Sequence, residues 1–160
     1  MTRWQRLKAT ALLRLYTFTK IPLIWWVRPS IVEVGQKSVI EIKLGRRTQN
    51  HLGSMYFGAL CMGGELVVAF KSVQTMTAKK VKVDFVFKDF KADFFRRADG
   101  DVHFICTEGD RVEALLQKAL DSSDRVEDKF TSYAIVPSKN QDEKVAAFEL
   151  TLSMKHRKKS

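Results

Sequence analysis

One acid stands alone in the run NHLGSMYFGALCMGGELVV, residues 50–68. Glu65 is its single carboxylate among apolar and small residues. It follows Cys61 by four residues and Phe57 by eight, which predicts one shared helical face, expected to be the face that meets the sheet. A carboxylate held there loses hydration, so its charged form is disfavoured, and such groups cluster at functional sites. The opposing reading is an acid at the helix edge that reaches water and a Lys or Arg, and spacing alone leaves the two level. Asn50, His51, Ser54 and Tyr56 fall at or just before the start of the same helix. Amides there are unpaired and the helix dipole favours negative charge. Such a terminus can hold an oxyanion while a carboxylate further along activates water toward the same carbonyl. Those are the two parts an ester or thioester hydrolase needs; the plainer role for Asn50 or Ser54 is to cap the helix.

Other chemistries find less support. Neither GxGxxG nor GxxxxGK[ST] occurs, and His51, His103 and His156 have no metal-ligand spacing, so no metal site is expected. His103 reads as an ordinary strand residue. Cys61 and Cys106 lack paired spacing and read as core thiols. Ser54 and Cys61 have no base beside them in sequence, which weakens a nucleophile triad.

The elements that must position these residues follow from periodicity. Trp4, Leu7, Ala11, Leu15 and Phe18 recur at helical spacing and predict a short helix ended by Pro22. The next segment, IPLIWWV, is apolar but reads as too short for a second helix. It either packs on the domain, the favoured reading, or anchors at an interface with Trp beside basic residues. IVEVGQKSVIEIKL predicts a hairpin around Gly35-Gln36. A long central helix is predicted from about Gly53 to Val73, with Phe57, Leu60, Cys61, Gly64, Val68 and Ser72 on one face. Its glycines suggest close approach of another backbone or a ligand. Beyond it, Val81, Val83, Phe85 and Phe87 alternate, and so do Phe90, Ala92 and Phe94, but in the opposite phase. That predicts one long strand with a bulge or bend between Phe87 and Phe90. A turn at 99–101, a strand VHFICTE, an amphipathic helix DRVEALLQKAL and two strands at about 125–137 and 144–156 complete an α+β domain, one long helix on a mostly antiparallel sheet.

Length and charge bound the rest. The chain has 160 residues and is 45% hydrophobic, enough for one globular domain with a real core. Its formal charge of +10 sits at the ends. Residues 1–30 carry six Lys or Arg and no acid, residues 155–160 carry four more, and the middle balances 18 basic against 18 acidic residues. The termini therefore call for a local anionic partner: a membrane surface, a nucleotide phosphate or nucleic acid. The acid-free start has the composition of an organellar transit segment but is read here as part of the fold. The longest apolar run, 7 residues, falls short of the ~20 that span a bilayer. No signal-peptide pattern follows it. A cytoplasmic protein, soluble or peripheral to a membrane, is expected.

The segments KIPLIWWVRPSIVEV, RRTQNHLGSMYFGAL, GGELV and FKDFKADFFRRADGDVHF, together with the interval from Asn50 to Glu65, resemble the hot-dog-fold thioesterases. Within them the chain is similar to the branch described as a domain of unknown function, near the phenylacetyl-CoA thioesterases. The resemblance covers nearly all of 1–160 and implies one hot-dog domain, with 1–28 a basic helical extension. In related thioesterases an Asn precedes His-Gly-Gly by six residues, and an acid follows the His by nine. Here those positions are Asn50, Tyr56-Phe57-Gly58 and Glu65, so Tyr56-Phe57 departs from His-Gly. The resemblance implies that Glu65 is the general base or, less favoured, the nucleophile. It implies further that Asn50 orients water or the carbonyl, and that the Gly58 amide donates to the oxyanion. Ser54, Tyr56 and Phe57 then line the substrate. Arg96 and Arg97 meet the phosphates of coenzyme A, unless they are merely a solvated strand end. Coenzyme A enters as part of the substrate, with no other cofactor. Homodimers, or pairs of dimers, with adjacent central helices and sites between subunits are also implied.

Two further readings compete with acyl-CoA hydrolysis. A non-catalytic acyl or lipid-binding module fits the Tyr56-Phe57 substitution and the basic, Trp-containing start, which suits an anionic membrane. Nucleic-acid binding fits less well, because the neutral centre offers no aromatic-lined basic groove.

Overall fold

The computed structural model describes residues 1–156; the last basic residues, 157–160, lie outside the described residues. A capping box opens the first helix, α1 (Arg3–Lys20). The Thr2 hydroxyl accepts from the Gln5 amide at 3.2 Å, and the Gln5 side chain accepts from the Thr2 amide at 2.8 Å. Pro22 starts a second, five-residue helix, α2 (Pro22–Trp26). The expectation that this segment is too short for a helix is thus corrected: Pro at the first helical position suits a single turn.

The stripe predicted on α1 is present and faces solvent. Trp4, Leu7, Leu15 and Phe18 are all more than half exposed, while Leu13 and Thr17 are buried. Polar ties hold that inner side. Arg14 donates from Nε to the Pro29 carbonyl at 3.0 Å and from Nη2 to the Ser30 hydroxyl at 2.8 Å, and the Ile31 amide donates to Thr10 at 3.0 Å.

The hairpin is β1 (Ser30–Glu33) and β2 (Ser38–Ile42). The sheet continues through β4 (Val102–Cys106), β5 (Val126–Val136), β6 (Asn140–Lys155) and β3 (Asp84–Phe94), in the order β1-β2-β4-β5-β6-β3. Every neighbouring pair is antiparallel. α3 (Phe57–Lys79) lies on one face of this sheet and α4 (Gly109–Asp121) packs beside it. β1 and β3 form the two edges.

The change of phase in β3 is a bulge: the register with β6 shifts between Phe87 and Asp89. Phe85 and Phe87 lie opposite Met154 and Leu152; after the bulge Phe90 and Ala92 lie opposite Leu150 and Phe148. Directly opposed residues share a face, so the extra residue returns all four to the side that carries α3. The strand itself begins at Asp84, and Val81 to Val83 precede it.

α3 starts four residues later and ends six later than predicted. Before it the chain is held by a loop: Gln49 bridges Met55, the Tyr56 amide donates to the Thr48 carbonyl at 2.7 Å, and the Met55 amide donates to the Ala98 carbonyl at 2.8 Å. Its polar last turns stay helical until Lys80 takes the left-handed conformation at φ 55°. Gly63 and Gly64 are where it meets the sheet. A Cβ at Gly63 would collide with the Phe104 ring, and one at Gly64 would lie 2.5 Å from the Phe148 ring.

Candidate active site

With Gly63 and Gly64 turned to the sheet, helical geometry turns Glu65 roughly 150° away from their mean direction. Glu65 therefore does not face its own sheet as expected. It shares the opposite side of α3 with Gly58, Met62 and Ala69, all of them half-buried. Among the described residues its carboxylate has no hydrogen bond and no ion pair. The basic partner foreseen for a helix-edge acid is absent: the buried Lys71 of the same helix pairs with Glu113 on α4 at 2.7 Å. Burial alone pushes the Glu65 carboxyl above the ordinary carboxylate value. Side chains of a helix lean toward its N-terminus, so this acid reaches back along the Gly58 side.

At that terminus the helix lacks a side-chain cap. The N-cap is Tyr56, with no capping bond from its side chain, so neither Asn50 nor Ser54 caps α3. Ala59 and Leu60 donate to the Tyr56 carbonyl. The amides of Phe57 and Gly58 have no acceptor among the described residues, and no acid stands in the first turn. Two free N–H groups and the positive end of a 23-residue helix therefore open on the Glu65 side. The Tyr56 ring leans over Gly58, where an added Cβ would come within 2.5 Å of Cε1.

Asn50 and Ser54 shape the loop before the helix. Asn50 Oδ1 accepts from the amides of Leu52 at 2.9 Å and Ser54 at 3.3 Å, and Asn50 Nδ2 lies 3.2 Å from the Ser54 hydroxyl, which is buried. His51 is exposed in the same loop. The Asn50 side chain is thus committed to closing a turn.

An aromatic wall flanks the helix start. Phe57 meets Phe94 edge-on at 6.3 Å between ring centres, Phe94 meets Phe148 at 6.5 Å, and Phe90 meets Phe148 at 5.7 Å. Tyr56, Phe57 and Phe94 are each nearly half exposed or more. Phe90 and Phe94 were not singled out as site residues from the sequence. The signal was the phase change in β3, which assigns them to the helix side of the sheet.

Arg96 and Arg97 follow this wall. They border a cleft of about 300 Å³ with Asp99, Lys139 and Glu143. Arg96 pairs with Glu143 and Lys139 with Asp99, whereas Arg97 is exposed and has no ion pair among the described residues. The Met55-to-Ala98 hydrogen bond ties this corner to the loop that leads into α3. His103 lies opposite Glu41 across the β2–β4 pair at 3.6 Å, as an ordinary strand residue does. Both cysteines are free; Cys106 is buried, and Cys61 is half-buried on α3 with its thiol pKa raised by burial. No helix among the described residues is long and apolar enough to cross a membrane.

Among curated proteins, none matches this sequence. The fold is shared with a protein of unknown function from Chlorobaculum tepidum, at a TM-score of 0.80 and 8% identity, covering 95% of this chain and 97% of that one. It is shared with a thioesterase from Haemophilus influenzae at a TM-score of 0.61 and 14% identity, covering 89% and 88%. A substituted form of a thioesterase from Staphylococcus aureus aligns at a TM-score of 0.60 and 13% identity, over 84% and 98%. These likenesses show the hot-dog architecture. At the level of sequence, residues 9–154 match the family described as Domain of unknown function (DUF4442).

Proposed function

The chain belongs to the DUF4442 family, and from that premise we propose that it hydrolyses an acyl-CoA or related acyl thioester. The observation that carries this reading is Glu65: a half-buried carboxylate without a partner, on the side of α3 where the Gly58 and Phe57 amides are free. Glu65 takes a proton from water, and the oxygen attacks the thioester carbonyl carbon. The oxyanion is held by the Gly58 amide, helped by that of Phe57. Collapse breaks the C–S bond; the thiolate leaves and takes the proton from Glu65, giving a carboxylic acid and a free thiol. Asn50 acts here as a positioning residue through the loop it closes. The wall of Phe57, Phe90 and Phe94 takes the acyl group with Tyr56, and the buried Ser54 hydroxyl supports the loop beneath. Arg97, with Arg96, meets the phosphates of coenzyme A at the corner tied to Met55.

A homodimer completes this reading. β3 is an 11-residue edge strand with Val86, Phe90, Phe94 and the adjoining Phe95 in the open. Its charged residues alternate in sign through Asp84, Lys88, Asp89, Lys91 and Asp93, a pattern that suits antiparallel pairing with a second copy. Two-fold pairing there brings the open sides of the two α3 helices together over the sites.

One observation favours a second reading, a non-catalytic acyl-binding module: the Tyr56 ring leans over the Gly58 end of the helix. Release of free thiol from short, medium, long and aromatic acyl-CoAs, with wild type and Glu65→Gln compared, separates the two. Hydrolysis of one class that is lost in the variant supports the thioesterase. Binding of acyl-CoA without turnover in either protein selects the module.

A further inference from the structure

We propose that the outward side of α1 and α2 is a docking surface for an anionic lipid bilayer. α1 is mounted inside out. The side turned to the domain carries Thr10, Arg14 and Thr17 beside Leu13, fastened by hydrogen bonds to Pro29, Ser30 and Ile31. The side turned to solvent carries Trp4, Leu7, Leu12, Leu15 and Phe18, each at least 54% exposed. α2 continues the surface with Leu23 at 62% and Trp26 at 51%. A soluble helix ordinarily buries the apolar side, and a continuous exposed patch of this kind marks an interaction surface.

Charge selects the occupant. Residues 1–30 carry six cations and no acid, and all but Arg14 are exposed. Lys8 lies over the Trp4 ring at 5.2 Å, and Arg47 over the Trp26 ring at 4.7 Å. Tryptophans with cations beside them, next to leucines, match the depth profile of a bilayer interface: rings at the headgroups, cations at the phosphates, aliphatic side chains below. A second copy is the poorer occupant, because two-fold contact would press two acid-free sets of cations together. The surface adjoins β1, the sheet edge opposite β3, so lipid contact leaves the candidate site and its dimer edge free.

Cosedimentation of the full chain with phosphatidylcholine vesicles, with and without about a third phosphatidylserine, tests the assignment. The expected result is at least about tenfold stronger partitioning onto the anionic vesicles, weakened by salt. Leu12→Glu with Leu15→Glu, both at exposed positions, removes that binding and leaves hydrolysis of a water-soluble acyl-CoA unchanged. A blue shift of tryptophan emission on adding anionic vesicles reports the same event in the unsubstituted protein. No sedimentation with anionic vesicles, or equal sedimentation of wild type and double variant, overturns the proposal. Self-association that the double variant loses, without lipid binding, overturns it in favour of a second copy. Since the readout is partitioning, the result stands apart from whether Glu65 is catalytic.

Discussion

At the β1 edge, α1 and α2 hold out leucines and tryptophans among the cations of a segment, residues 1–30, that carries no acid. At the β3 edge, Phe90, Phe94 and Phe57 are held out among charges of both signs, near a helix that bears an unpaired carboxylate. Both surfaces are apolar and open, yet their electrostatics differ. A surface whose own charges balance is suited to its own copy; one with a single sign of charge repels its copy and attracts an opposite field. They also differ in how they are held. The β3 surface is part of the sheet, with Phe90 tilted against Phe148 and Phe94 edge-on to it, while the α1 surface is the exposed back of a helix tied on by a few polar bonds.

The largest effect separating the two belongs to the carboxylate. Glu65→Gln is expected to lower kcat by roughly 10²–10⁴, measured as thiol release, with vesicle partitioning unchanged. A variant that loses both functions would break the separation. Next comes the edge strand: Phe90→Lys with Phe94→Lys is expected to raise the dimer dissociation constant by at least about 10²-fold, read by analytical ultracentrifugation. The corresponding pair on α1, Leu12→Glu and Leu15→Glu, is expected to leave the dimer intact.

Two neighbouring leucines sharpen the comparison through stability. Leu13→Ala opens a cavity under the helix and is expected to cost about 2–3 kcal/mol in urea denaturation. Leu12→Ala, on the exposed side, is expected to stay within about 0.5 kcal/mol. The smallest effect is in pH. Burial raises the pKa of Glu65 in the folded protein, so the folded state holds that proton more tightly than the unfolded chain. Stability from this group is full below the unfolded pKa and falls as pH rises through the folded one. Glu65→Gln is therefore expected to gain in melting temperature relative to wild type as pH rises across that interval. Under the proposed hydrolysis activity runs the other way, because Glu65 would have to be ionised to act as base: the acid limb of kcat/KM is expected above the ordinary carboxylate range.

Much of this was legible in the chain. The hairpin followed from β-branched residues on either side of Gly35-Gln36, the bulge from the change of phase in the alternation along β3, and α4 from Val112, Leu115, Leu116 and Ala119 at helical spacing, all four of them buried. The limits of α3 did not, because a loop closed by Asn50 precedes it and its polar last turns carry no stop signal until the left-handed Lys80. The facing of α1 was illegible for a deeper reason. Periodicity locates an apolar stripe but is silent on what covers it, and here the polar side is the one that docks. The same limit misplaced Glu65. Its face was judged by Cys61 and Phe57, whereas the orientation of α3 is set by Gly63 and Gly64, whose lack of side chains gives no hydrophobic signal.

Those two glycines set a mechanical datum. With Phe104 and Phe148 against the backbone, and the Ser132 hydroxyl donating to the Gly64 carbonyl at 2.9 Å, α3 can neither slide along the sheet nor roll upon it without lifting off two rings. The carboxylate is on the very next residue, so its height above the sheet is inherited from that contact. A protein gauged in this way can exchange the rings beside the start of α3 while the Glu65 carboxylate keeps its place.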